Sequence, residues 1–374
     1  MSDTSRRYHA IKRGLMSFYQ PRLTGHREQH LNTLVALICG LIGGRHAHLP
    51  TIADHAPGQG ATQESLITRF RRFLQHEAQT LDAWFLPVAR ALLQALAHRP
   101  IRLVMDGSVV GRGCLALLVS VVYHGRALPL GWVVVAAPKG HFPEATHRAL
   151  LAQVQRLMPA DATVIFLGDG EFDGVDLQAD LRRYGWQYVC RTATNILITA
   201  CGVEFQVSDL APQPGQALAV SPAWMTAARY GPVSLLAVWE PPCPHPIYLI
   251  TNLSDLDAAV AQYRKRAHIE TFFSDQKSRG FHLHKSHLSD PARLGRLLLA
   301  ACLAYLWVVY LGVCAIRDGW LRHLHRLDRC DLSLFRLGFR LLARCLKEEV
   351  AIPDGFLVPA EGPPAYVLPA QRAA

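Results

Sequence analysis

The chain has 374 residues, half of them hydrophobic, with 39 lysines and arginines against 29 aspartates and glutamates and a net charge of +10. This excludes a disordered chain, leaves room for two or three domains with a sizeable core, and points to a polyanionic partner, nucleic acid first and an anionic membrane second. Nine cysteines, an odd number with no C-x-x-C pair, exclude a disulfide framework and read as buried free thiols in a reducing compartment.

The segment MSDTSRRYHAIKRG has no apolar core of a secretory signal. Residues 1–98 read as a helical DNA-binding domain. Residues 31–41 are an apolar helix ended by Gly43-Gly44, and Pro57-Gly58 marks a turn. Residues 62–75 (TQESLITRFRRFLQ) place Leu66, Phe70, Phe73 and Leu74 on one face and Arg69, Arg71 and Arg72 mostly on the other. Such a helix suits DNA phosphates, and it equally suits a solvated basic face. Residues 80–96 predict one further apolar helix.

The texture changes at Pro100. Residues 101–105 form a buried strand ending on Asp106. Residues 114–123 and 127–135 form two more strands joined at His124-Gly125-Arg126. Residues 143–157 are helical, 163–167 (TVIFL) form a strand followed by Gly168-Asp169-Gly170, 173–184 are helical, and 187–191 (QYVCR) form a fifth strand. Three meander strands followed by two crossover strands give the ribonuclease H-like order within an α/β catalytic domain at 99–325. That order sets the first and fourth strands side by side and brings Asp106 to Asp169. Residues 192–245, rich in proline and short apolar runs, are a β-rich insertion. Residues 247–251 are one more strand, and 256–277 one helix capped near Asp255.

In YRKRAHIETFFSDQK (263–277), a step of roughly 100° per residue sets Arg266 near −60°, Glu270 near −20° and Lys277 near −40° from Tyr263, on one polar face. Ile269 and Phe273 face inward. Two strand-end aspartates and a helical glutamate form an oxygen-ligand set suited to Mg2+, with Mn2+ as a substitute. Two such ions about 4 Å apart support phosphoryl transfer. Tyr263, Arg266 and Lys277 would then grip phosphates or stack on a nucleotide. Taken singly, an aspartate after a strand is usually a turn residue and a charged helix face is usually solvated. Their coincidence with this strand order argues for a site.

The residues Tyr263, Arg266, Glu270 and Lys277 match Tyr-x2-Arg-x3-Glu-x6-Lys, and with MDGS around Asp106 and LGDGEFDG around Asp169 the chain resembles the DDE transposases of bacterial insertion sequences. The resembling group includes hairpin-forming, cut-and-paste enzymes. The resemblance covers about residues 100–320, including the β-rich insertion and the apolar helix that follows KSRGFHLHKSHL. It implies that Asp106, Asp169 and Glu270 hold divalent metal. Water then attacks a phosphodiester at a transposon end, and the freed 3′-hydroxyl attacks a second strand or target DNA. It implies that Tyr263, Arg266 and Lys277 hold double-stranded DNA at the terminal inverted repeats. It also implies a homodimer on paired ends, in the prokaryotic cytoplasm at the nucleoid. One departure is Gly170, where relatives often carry arginine. Trp239 and Tyr248 are alternatives for an aromatic that stacks on a flipped base.

Arg191, at the end of the fifth strand, and Lys139, after the hairpin, are further expected DNA contacts. His282, His284 and His287 form H-x-H-x2-H, read as a solvated or DNA-facing segment rather than a zinc site. No phosphate loop or nucleophile elbow implies a nucleotide cofactor or a serine hydrolase. Residues 297–316 carry no charge and are long enough to span a bilayer, yet a helix buried against a sheet has the same composition and is favoured. Residues 326–374 read as a basic amphipathic helical segment and a flexible tail. A structure-specific nuclease, or an inactive DNA-binding regulator descended from a transposase, are the alternative functions; the intact acidic triad argues against the second.

Overall fold

The structure is a computed structural model that describes residues 1–19, 23–58, 60–137, 140–326 and 330–362. Six helices come first: α1 (Asp3–Met16), α2 (Gly25–Gly44), α3 (Leu49–Asp54), α4 (Gln63–Gln75), α5 (Leu81–Trp84) and α6 (Leu86–Leu96). Helix α2 is apolar around most of its circumference and accordingly lies buried among α1, α3 and α4. In α4 the Thr62 hydroxyl accepts from Ser65 N at 3.3 Å, and Leu66, Ile67, Phe70, Phe73 and Leu74 are buried while Arg69, Arg71 and Arg72 stay exposed. The single helix expected over 80–96 is two. Phe85 separates them, and Pro87 opens the second at a position where its missing N–H costs nothing.

The sheet begins with β1 (Ile101–Gly111), β2 (Cys114–Tyr123) and β3 (Arg126–Ala136). A two-residue turn joins β2 to β3, with His124 at φ 42° and Gly125 at φ 75°, the paired positive angles that match hairpin twist. Then follow α7 (Glu144–Gln155), β4 (Val164–Gly168), α8 (Val175–Arg183) and β5 (Gln187–Arg191). Strands β6 (Leu197–Ala200), β7 (Val203–Gln206), β8 (Ala217–Met225), β9 (Tyr230–Val238) and β10 (Ile247–Thr251) complete a ten-stranded sheet in the order β3-β2-β1-β4-β5-β10-β9-β8-β6-β7. Pairs β1–β4 and β4–β5 are parallel and the other pairs antiparallel. Strand β4 is buried along its whole length, as expected of a strand covered on both faces. The 192–245 stretch is β-rich as expected. It is not a separate layer, because β9 pairs with β10 and extends the same sheet.

Past the sheet come α9 (Leu256–Tyr263), a 3-10 turn at Arg264–Ala267, α10 (His268–Gln276), α11 (Pro291–Arg317), α12 (Leu321–Leu324) and α13 (Leu334–Lys347). Helix α11 is long and apolar enough to cross a membrane, but 94% of its most apolar window is buried in the protein, packed on α13, α2, α4 and β3. The first helix meets the end of α13: Arg6 donates to the carbonyls of Leu346 and Cys345, each at 3.1 Å. Of the nine cysteines, Cys201 and Cys243 are exposed, the rest are buried, and all are free. The expectation of buried thiols therefore fails at those two, which lie in turns of the β-rich stretch.

Candidate active site

Strands β1 and β4 run parallel with Val104 opposite Leu167. Carrying that register two residues further sets Asp106 beside Asp169, on adjacent strands whose spacing is about 4.8 Å. The Asp106 carboxylate accepts from Gly107 N at 2.8 Å, and Asp169 Oδ1 accepts from Glu171 N at 3.0 Å. Glu270 comes from α10. The three acids meet at one cation. Arg266 Nη1 lies 3.6 Å from Asp169 Oδ2 and 3.9 Å from Asp106 Oδ2, and its Nη2 lies 3.2 Å from Glu270 Oε1.

Burial pushes the Asp106 carboxyl up to about 6; the neighbouring Asp169 charge adds to this, and Arg266 opposes it. A carboxylate held high by burial and by a like charge is one that a divalent cation would relieve, and an all-oxygen donor set suits a hard cation. The residues present therefore fit a magnesium-type ion in donor chemistry. As the side chains stand, no three His, Cys, Asp or Glu groups among the described residues converge closely enough to hold a metal ion. The Arg266 guanidinium supplies the positive charge between them.

The signature is not on one continuous helix, as residues 256–277 were expected to be. The 3-10 turn at Arg264–Ala267 interrupts it. Such a turn advances about 120° per residue, so four residues rotate Tyr263 by roughly 80° against Glu270 relative to an α-helix. Arg266 and Glu270 still face each other one turn apart. The three consecutive basic side chains of this turn reach separate partners: Arg264 pairs with Glu240, Lys265 donates to Gln262 Oε1 at 3.1 Å, and Arg266 meets the acids. Ile269 and Phe273 are buried as expected.

Lys277 caps α10, and its Nζ donates to Ser108 Oγ at 2.6 Å, two residues past Asp106. Burial pulls its pKa down, against the pull of Asp106. Tyr263 is half-buried, and burial raises its phenol against the charges of Arg266 and Arg191. Arg191 and Asp169 line one cavity of about 650 Å3 with Tyr248, His245 and His141. Tyr248 lines that cavity, and Trp239 does not. Lys139 lies outside the described residues.

Sequence reasoning missed the support behind Asp169. Glu171 Oε1 accepts from Phe142 N at 2.6 Å and stands 3.2 Å from His147 Nε2, while Oε2 stands 3.1 Å from His141 Nδ1. Asp173 Oδ2 accepts from Thr192 Oγ1 at 2.8 Å and so ties the loop after β4 to the loop after β5. The alternation Asp169, Glu171, Asp173 was the available signal. The H-x-H-x2-H segment also differs from expectation. His284 and His287 are exposed, but His282 is half-buried, with its ring stacked 5.4 Å from His46.

A family profile described as a transposase DDE domain matches residues 107–307, more than half of the chain. No curated protein matches the sequence. Among solved structures, the cryo-EM structure of the piggyBac transposase synaptic complex with hairpin DNA is 11% identical, with a TM-score of 0.48, over 93% of this chain and 80% of that one. A likeness that weak assigns no residue a role.

Proposed function

The chain belongs to the transposase DDE-domain family, and on that premise we propose that it is a DNA transposase that cleaves at transposon ends and transfers the strand to target DNA. The observation that carries this reading is the convergence of Asp106, Asp169 and Glu270 on the single guanidinium of Arg266. The observed order β3-β2-β1-β4-β5 supports a ribonuclease H-like core, with Asp106 inside β1, which runs on to Gly111 rather than ending there as expected, and Asp169 just past the end of β4.

In this reading Asp106, Asp169 and Glu270 hold Mg2+ or Mn2+. When bound, the metal polarises the scissile phosphodiester and activates the attacking oxygen. The protein's own residues position the substrate. Lys277, fixed by Ser108, presents its ammonium beside Asp106 as a phosphate contact. Tyr263 and Arg191 flank Asp169, and the cavity beside it, with Tyr248 in its wall, would receive an unstacked base. Glu171 holds the Asp169 loop by accepting from Phe142 N, and so keeps that carboxylate at the strand end. The insertion-sequence group, the paired-end homodimer and a nucleoid location follow from the signature as part of the same proposal.

The test is cleavage of labelled duplex carrying the element's ends, with Mg2+ or Mn2+, resolved on denaturing gels. Metal-dependent nicking followed by joined products supports the transposase. Nicking of branched DNA without joining would favour a structure-specific nuclease. Binding without cleavage in either metal would favour a DNA-binding regulator.

A further inference from the structure

Four arginines from three separated stretches of chain line one pocket outside the acidic site. Arg45 follows α2, Arg279 lies two residues past Lys277, and Arg336 and Arg340 stand on α13. The space is about 280 Å3, room for roughly nine waters at about 30 Å3 each, so a phosphate group fits with space to spare. Among the described residues none of the four guanidiniums forms an ion pair. Arg340 donates to Leu324 O at 2.8 Å. Arg45 lies 4.1 Å over the Phe339 ring, which fixes its plane.

The closest charge balance is Asp275, whose carboxyl feels Arg279 and Arg336. It is buried and turned to Arg126 at 2.7 Å, so it does not satisfy the pocket. Converging guanidiniums without a counter-ion repel one another, and their planar forks match phosphate oxygens in geometry and charge.

The position of the pocket narrows the ligand. The Arg279 Cα is at most about 7.6 Å from the Lys277 Cα, two steps of about 3.8 Å. The pocket therefore opens close along the chain to the Lys277 that reaches Ser108 beside Asp106. We propose that Arg45, Arg279, Arg336 and Arg340 form a binding site for a phosphodiester of the DNA strand that continues past Lys277 from the acidic site. The proposal rests on the DNA-transposase reading above. The site needs residues from before and after the family-matched region as well as one within it.

The test is fluorescence anisotropy with the full-length chain, a labelled duplex and no metal, across a salt series. A duplex of any sequence serves, because backbone contacts are sequence-independent. The Arg279→Gln/Arg336→Gln double variant should bind on the order of tenfold or more weakly. Its log–log salt slope should be shallower by about 0.9, the loss of one phosphate contact. Arg279→Lys/Arg336→Lys should keep the slope while losing affinity, because charge survives and the fork does not. Arg156→Gln, an exposed arginine after α7, should match wild type.

Wild-type affinity and slope in the double variant, with unchanged melting, would overturn the pocket and leave the transposase reading standing. A wild-type protein that binds no duplex would take down both. Inorganic phosphate or pyrophosphate that raises the melting temperature of wild type alone, with DNA binding equal in both proteins, would assign the pocket to a free phosphate and overturn the phosphodiester.

Discussion

Arg266 Nη2 stands 3.2 Å from Glu270 Oε1, one turn away along the chain, while Nη1 of the same guanidinium faces Asp106 and Asp169. One side chain thus contacts all three acids that a divalent ion would need. Metal and guanidinium compete for the same oxygens. Arg266→Ala should therefore bind Mn2+ more tightly in the absence of DNA, by about tenfold, or about 1.4 kcal/mol, after allowing for solvent screening at the exposed Glu270. Titration calorimetry reads this without any DNA. Equal or weaker metal binding in the variant would show that Arg266 organises the acids rather than competing for them.

The Asp275–Arg126 pair predicts a pH dependence of stability. Burial holds the Asp275 carboxyl up at about 6 against the pull of Arg126, Arg279 and Arg336, and above its unfolded value of 3.8. The folded state therefore binds the proton more tightly than the unfolded state. The resulting stabilisation is full below the unfolded value and is lost as pH rises through about 6. Asp275→Asn should remove that part of the slope between about pH 4 and 6. Asp275→Ala should lose about 3–5 kcal/mol at neutral pH, because it leaves the Arg126 guanidinium buried without its partner. Melting curves across pH for the three proteins measure both effects.

Helices α11 and α13 approach closely at two glycines. A Cβ on Gly338 would strike the Val308 carbonyl, and one on Gly312 would strike the Leu334 carbonyl. Backbone on both sides cannot yield without separating the helices. Gly338→Ala should cost about 1–3 kcal/mol or more by overpacking, and Gly312→Ala a similar amount, whereas Gly319→Ser, in open space, tests only its positive φ. Denaturant unfolding of the first two variants gives the number; unchanged midpoints would mean that the helices pack with slack.

The strand order of the first five strands and the pairing of Asp106 with Asp169 were legible because apolar runs were bounded by turn residues, although β1 runs through Asp106 to Gly111 instead of ending there. A parallel crossover then admits few arrangements. The signature helix was misread because the 100° step assumes an unbroken α-helix, and nothing local in Arg264-Lys265-Arg266 announces a 3-10 turn. Its arginines meet partners distant in sequence: Glu240, Asp106 and Asp169. His147 and Glu171 escaped notice for a related reason. Each is unremarkable in its own segment, and only the packing of α7 against the loop after β4 gives them a joint role. The four-arginine pocket joins residues nearly three hundred positions apart, a separation that no periodicity reports.

The central claim is that Asp106, Asp169 and Glu270 act together on a phosphodiester. The most direct measurement compares wild type with Glu270→Gln on labelled DNA carrying the element's ends, with Mg2+, following both binding and cleavage. The amide keeps the size of the side chain and removes its charge. The account predicts retained DNA binding and cleavage slower by on the order of 10³-fold, about 4 kcal/mol of barrier. Cleavage by Glu270→Gln at the wild-type rate, with binding intact, would contradict it.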